Sequence, residues 1–129
     1  MTIRPELIEK LRTRRAKLTE NISPQKLEAL HAKGLLSARE RLEALFVEGT
    51  FQELGLHAVH SATHFGMAGR DLPADGVLAG SGYVGNMQVA AFSQDFSVVA
   101  GTLGKMQARK ITRIMRHALK IGVPVVAFK

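Results

Sequence analysis

The stretch Phe96-Ser97-Val98-Val99-Ala100-Gly101-Thr102-Leu103-Gly104, continued by residues 105–121 and closed by Gly122-Val123-Pro124-Val125-Val126-Ala127-Phe128, decides the fold. Residues 96–100 are a short apolar run with strand character, and the glycine-flanked turn after them opens a helix. Met106, Ala108, Ile111, Ile114, Met115, Ala118 and Leu119 recur at helical spacing and predict its apolar face. Arg109, Arg113, Arg116 and Lys120 form a basic stripe opposite. Gly122 stops the helix, and residues 123–128 return as a strand. Strand, helix and strand in that order make a βαβ unit with a right-handed crossover, so the chain belongs to the α/β class.

Working back from that unit, residues 77–84 and 87–92 are strand-like runs joined by Gly85-Asn86, a hairpin turn. Residues 55–76 read as loop, with Gly55, Gly66, Gly69, Pro73 and Gly76. The first 50 residues are helical. Pro5 opens a helix carrying Leu7, Leu11, Leu18 and Ile22 at helical intervals. Ser23-Pro24 opens a second, which Gly34 ends, with Leu27, Leu30 and His31 on one side. Ser37 and Glu40 have the spacing of a capping box, so a third helix follows until Glu48-Gly49-Thr50 breaks it. Residues 1–50 are therefore an N-terminal helical extension.

Composition narrows the function. The chain has 129 residues, 46% of them hydrophobic, which suffices for a core. With no Cys, disulfides, cysteine zinc sites and thiol nucleophiles are excluded. No apolar run has the length of a membrane span and no signal-peptide core is present, so a cytoplasmic, non-membrane protein is expected. The net charge of +7 is unevenly placed: residues 96–129 hold seven Lys and Arg and no acid. That asymmetry calls for an anionic ligand or an acidic partner surface.

Most motifs fail on context. Gly80-Ser81-Gly82-Tyr83-Val84-Gly85 has the letters of a dinucleotide fingerprint, but a strand follows where a helix N-terminus is needed. Glycines of a twisted hairpin are the better reading. His57, His60 and His64 sit in a glycine-flanked segment without a carboxylate or Cys ligand, so no metal site is expected. Ser81, Ser93 and Ser97 lack a nucleophile elbow, and Asp75 and Asp95 are isolated, so no catalytic residue is assigned. One Tyr and no Trp argue against nucleic acid. Gly101-Thr102-Leu103-Gly104-Lys105 lacks the spacing and the hydroxyl of a nucleotide triphosphatase loop. A glycine-rich helix start beside a lysine is nevertheless a phosphate site, or else an ordinary helix start with a solvated Lys105.

One family resemblance runs along the chain. His31-Ala32-Lys33-Gly34, Ser37-Ala38-Arg39-Glu40-Arg41-Leu42 and Gly49-Thr50-Phe51-Gln52-Glu53 begin it. Phe65-Gly66-Met67, Asp75-Gly76-Val77, Phe92-Ser93-Gln94-Asp95-Phe96, Gly101-Thr102-Leu103-Gly104 and Lys110-Ile111 continue it in order. Over residues 31–129 the chain resembles carboxyltransferase β subunits of biotin-dependent acyl-CoA carboxylases, of the propionyl-CoA carboxylase type. Lys105 and Arg116 stand where that family usually carries Glu and Asp. The resemblance implies a crotonase-like fold of ββα units, with residues 51–129 as the start of a carboxyltransferase N-domain. It implies transfer of carboxylate from carboxybiotin, held on a partner carrier domain, to the α-carbon of an acyl-CoA. The enolate would be stabilised by backbone amides in oxyanion holes. In the family these holes lie beyond the strand at residues 123–128, so a truncated, inactive piece is expected. Gly101, Gly104 and Lys105 are the first candidates for the CoA phosphates, and Lys33, Arg39 and Arg41 are secondary ones. A biotin carboxylase or carrier subunit and further copies of the same chain are the implied partners. Two alternatives stand: a non-enzymatic anion-binding or assembly module using the basic stripe, and the acyl-CoA decarboxylase branch of the family.

Overall fold

The computed structural model describes residues 4–19, 22–55, 76–95 and 105–129, without the side chain of Met106. In chain order the elements are α1 (Pro5–Thr19), α2 (Pro24–Ala32), α3 (Ala38–Leu45), β1 (Gln52–Leu54), β2 (Val77–Val84), β3 (Met87–Gln94), α4 (Lys105–Ile121) and β4 (Val125–Phe128). The strands form one mixed sheet in the order β1-β2-β3-β4. The first three are antiparallel neighbours, and β4 runs parallel to β3. Two antiparallel strands, a helix and a parallel return form a ββα unit followed by the next strand. β3 and β4 are thus the described parallel pair flanking the helix, whereas the expected strand at residues 96–100 lies outside the described residues.

Strand alternation divides the core between the two faces of the sheet. Leu78, Val89 and Ala91 pack with Ala38, Leu42 and Phe46 of the α3 segment. Val77, Ala79, Ala90 and Phe92 pack with Ile114 and Ala118 of α4. The sheet is therefore held between α3 on one face and α4 on the other. Within the first cluster Phe46 and Phe51 stack, with ring centroids 5.2 Å apart. The turn at residues 46–50 is tied to the end of β2: the Val47 N–H donates to the Tyr83 carbonyl at 2.8 Å, and the Tyr83 N–H to the Thr50 hydroxyl at 3.2 Å.

The structure departs from the sequence reading in three places. β1, for which the sequence reading gave no element, is a three-residue edge strand, too short to show alternation. α1 buries only Leu18, and Leu7 and Leu11 are exposed despite their spacing. The core face of α4 is rotated from the expected one. Gln107, Lys110, Ile114 and Ala118 are buried, while Met115 and Leu119 are 51% and 84% exposed. A buried lysine turns a nominally polar position inward because its head finds a partner: Lys110 Nζ donates to the Val77 carbonyl at 2.7 Å.

Candidate functional site

Two cationic surfaces are candidates, and they lie on opposite sides of the sheet. The first is a cleft between α2 and α3. Ser23 caps α2 by accepting from the Lys26 N–H at 3.4 Å, with Pro24 in the first turn. The helix ends where the Lys33 N–H donates to the Leu30 carbonyl at 3.0 Å, and Gly34 takes φ 70° to reverse the chain. α3 begins with a complete capping box: the Glu40 N–H donates to Ser37 Oγ at 3.2 Å and the Ser37 N–H donates to Glu40 Oε2 at 2.8 Å. His31 Nε2 meets Glu40 Oε1 at 2.8 Å, joining the end of α2 to the start of α3. The Ser37 backbone donor is the largest influence on the Glu40 carboxyl; burial opposes it, and with the His31 and Ser37 side chains adding to the donor the carboxyl lies below its ordinary range.

The loop so fixed leaves a concave surface of roughly 380 Å³, lined by Lys26, Leu30, Lys33, Leu35, Leu36 and Arg41, among others. Arg41 is steadied by its Nε–H, which donates to the Leu36 carbonyl at 3.2 Å. Lys33 and Arg41, both candidates from the sequence, are brought together here. Lys26 was missed by sequence reasoning. The available signal was its seven-residue interval to Lys33, two turns on one helical face.

Arg39 sits elsewhere. Its guanidinium pairs with Glu53 Oε2 of β1 at 3.0 Å, and both side chains are mostly buried. It lines a smaller cavity together with Glu40 and Glu43. Arg39 thus fastens α3 to the sheet edge, and its charge is already matched.

The second surface is a groove along the solvent side of α4, lined by Lys105, Ala108, Arg109, Thr112, Arg113 and Arg116. Lys105 is the first residue of the helix and is exposed. Among the described residues none of these cations forms an ion pair. Gly101 and Gly104 lie outside the described residues, as do His57, His60, His64, Asp75 and Ser97. Of the remaining candidates, Ser93 is fully buried in β3, and Gly80 and Gly82 lie within β2 of the hairpin, away from any helix start. Among the described residues no group of three His, Asp or Glu side chains is placed to hold a metal ion. No described helix is long and apolar enough to cross a membrane.

Comparison with known proteins gives a consistent answer. The carboxyl transferase domain family matches residues 29–129. The chain is 43% identical over 126 residues to the methylmalonyl-CoA decarboxylase subunit alpha of Propionigenium modestum, covering 98% of this chain and 24% of that protein. It is 39% identical over 121 residues to the propionyl-CoA carboxylase beta chain of Cereibacter sphaeroides, covering 94% of this chain and 24% of that one. Among solved structures, the transcarboxylase 12S hexamer with methylmalonyl-coenzyme A and methylmalonic acid bound superposes with a TM-score of 0.92 at 34% identity. That match covers 100% of this chain and 25% of the transcarboxylase chain. The chain therefore spans about a quarter of the length of these relatives. The fold is the crotonase-like α/β fold of carboxyltransferase domains.

Proposed function

Because the chain belongs to the carboxyl transferase domain family of biotin-dependent enzymes, we propose that it contributes to transfer of a carboxyl group between biotin and the α-carbon of an acyl-CoA. The reading covers both senses of the reaction, carboxylation and decarboxylation. Propionyl-CoA and methylmalonyl-CoA are the substrates of first choice. The observation that carries it is the near-complete superposition, TM-score 0.92, on a chain that binds methylmalonyl-coenzyme A.

Within this reading the residues of the chain have binding roles. Residues 1–50 form a helical extension and residues 51–129 begin the carboxyltransferase N-domain. Gly101, Gly104 and Lys105 are assigned to the CoA phosphates, and Lys33 and Arg41 at the α2–α3 cleft, across the sheet, are the alternative site for the same charges. Arg39, proposed from the sequence as a third cation beside them, is held in its ion pair with Glu53, which favours a structural role. Carboxybiotin on a partner carrier domain supplies the carboxylate, and an enolate at the acyl α-carbon accepts it, stabilised by backbone amides. No catalytic residue is assigned among these 129 residues, so turnover by them alone is not expected. A homo-oligomer and a cytoplasmic setting complete the proposal.

Calorimetric titration of the chain with propionyl-CoA and methylmalonyl-CoA, set against propionate and methylmalonate, tests it. The CoA esters are expected to bind and the free acids to leave no heat. Esters that bind no better than the acids refute acyl-CoA recognition. Carboxyl transfer or release catalysed by the chain alone refutes the assignment of binding roles only.

A further inference from the structure

We propose that the outer face of α4 docks an acidic amphipathic helix of a partner protein, seated on two parallel rows of side chains. The docking face adds a partner surface to the binding roles above and does not depend on them.

The rows follow from the helical repeat. Ala108, Thr112, Met115 and Leu119 recur at intervals of four, three and four residues, so they share one edge of the helix. Arg109, Arg113, Arg116 and Lys120 follow one residue later at the same intervals and run alongside. Gln107, Ile114 and Ala118 turn the opposite side into the core. Thr112, Met115, Leu119 and all four cations are exposed, Leu119 at 84%. A mostly apolar row at heptad spacing, with charges on its flank, is the pattern by which one helix receives another.

Charge selects the partner. Among the described residues none of the four cations forms an ion pair, and residues 96–129 contain no acid that could supply one from the same segment. Neighbours in the row are like charges three and four residues apart, which weakens the helix that carries them. The fold gains nothing from such a row. Carboxylates at the same spacing on a second helix relieve the repulsion and fix that helix in register. The row runs from Arg109 to Lys120, about 16 Å along the axis, well past Lys105 at the helix start. Phosphates held at the helix start leave most of it unused. The apolar row favours a protein over a nucleic acid, because Met115 and Leu119 gain from apolar side chains of a second helix and not from a phosphate backbone.

A labelled helical peptide with Leu along its seam and Glu on both flanks is titrated into the 129-residue chain, with binding read by fluorescence anisotropy. It should bind, and the same peptide with Lys in place of Glu should not. Arg116→Glu should weaken binding about tenfold, by replacing attraction with repulsion along the row. Leu119→Ser should weaken it by a similar factor through lost apolar burial. Both residues are exposed, and Arg116→Glu brings opposite charge beside Arg113 and Lys120, so both variants keep the fold. Arg14→Glu on α1 makes the same change of charge at another exposed position and should leave the affinity unchanged. No binding of the acidic peptide, or binding insensitive to both α4 substitutions, overturns the docking face. An equal loss in Arg14→Glu reduces the effect to net charge and overturns it as well. Tighter binding of duplex DNA or of anionic phospholipid vesicles at the same salt overturns the choice of partner.

Discussion

Gly80 and Gly82 lack side chains because other residues already fill the space a Cβ would take. A Cβ on Gly80 would meet the Gln52 carbonyl and come within 2.6 Å of a Phe51 ring carbon. One on Gly82 would come within 2.8 Å of the Phe46 ring. The glycines that imitate a dinucleotide fingerprint thus let the stacked phenylalanines and β1 lie against β2. Gly80→Ala should cost about 1–3 kcal/mol through overpacking, read as a lower urea midpoint with unchanged slope. Gly85→Ala meets no atom within 4 Å, and its cost comes only from φ 59° in the turn, about 1 kcal/mol. A Gly80 variant no worse than the Gly85 variant would contradict this packing. Lys110 belonged to neither the apolar face nor the basic stripe read from the sequence, and it is buried. Lys110→Met preserves the aliphatic stem but leaves the Val77 carbonyl without its 2.7 Å donor, a loss of about 1–3 kcal/mol measurable in the same unfolding experiment.

The helix starts show what local sequence encodes well. Ser37 and Glu40 were readable as a capping box because the motif needs only four consecutive residues, and both reciprocal bonds are present. The hairpin was equally legible, since β2, β3 and the turn at Gly85 are contiguous. β1 was not, because a three-residue strand is defined by its partner, pairing Gln52 with Ser81 and Leu54 with Ala79 across the chain. The rotation of α4 escaped for the same reason: the choice among apolar flanks is made by the sheet that the helix covers. In the candidate site, Lys33 and Arg41 were legible as basic residues within a motif. Their meeting with Lys26 depends on a turn whose path the sequence does not spell out. Ser37→Ala should cost about 1 kcal/mol in urea unfolding. Acid sensitivity has a definite sign here. The Glu40 carboxyl lies below its ordinary range in the folded chain, so it adds stability above that range and loses it as pH falls. Glu40→Gln should therefore flatten the acid side of the stability–pH curve, and an unchanged acid limb would exclude Glu40 as a contributor.

At the scale of the whole molecule, the charge segregation along the chain becomes a division between two faces. Residues 105–120 contribute Lys105, Arg109, Arg113, Arg116 and Lys120 to the outer side of α4, opposite the face carrying α3. Like charges three or four residues apart repel by roughly 0.2–0.5 kcal/mol a pair, so α4 carries a cost that its burial of Ile114 and Ala118 offsets. Added salt should raise the melting temperature by screening that repulsion. Arg113→Glu converts the contacts with Arg109 and Arg116 from repulsive to attractive. It should stabilise the chain by about 0.5–1 kcal/mol and reduce the salt dependence of melting. Arg113 lines the groove that Lys105 also lines, so a CoA phosphate held at the start of α4 should lose affinity in the same variant. Joint loss of CoA binding and gain in stability would show that the α4 surface, rather than the α2–α3 cleft, is where the anion sits. A gain in stability with CoA binding intact separates the two basic faces by role.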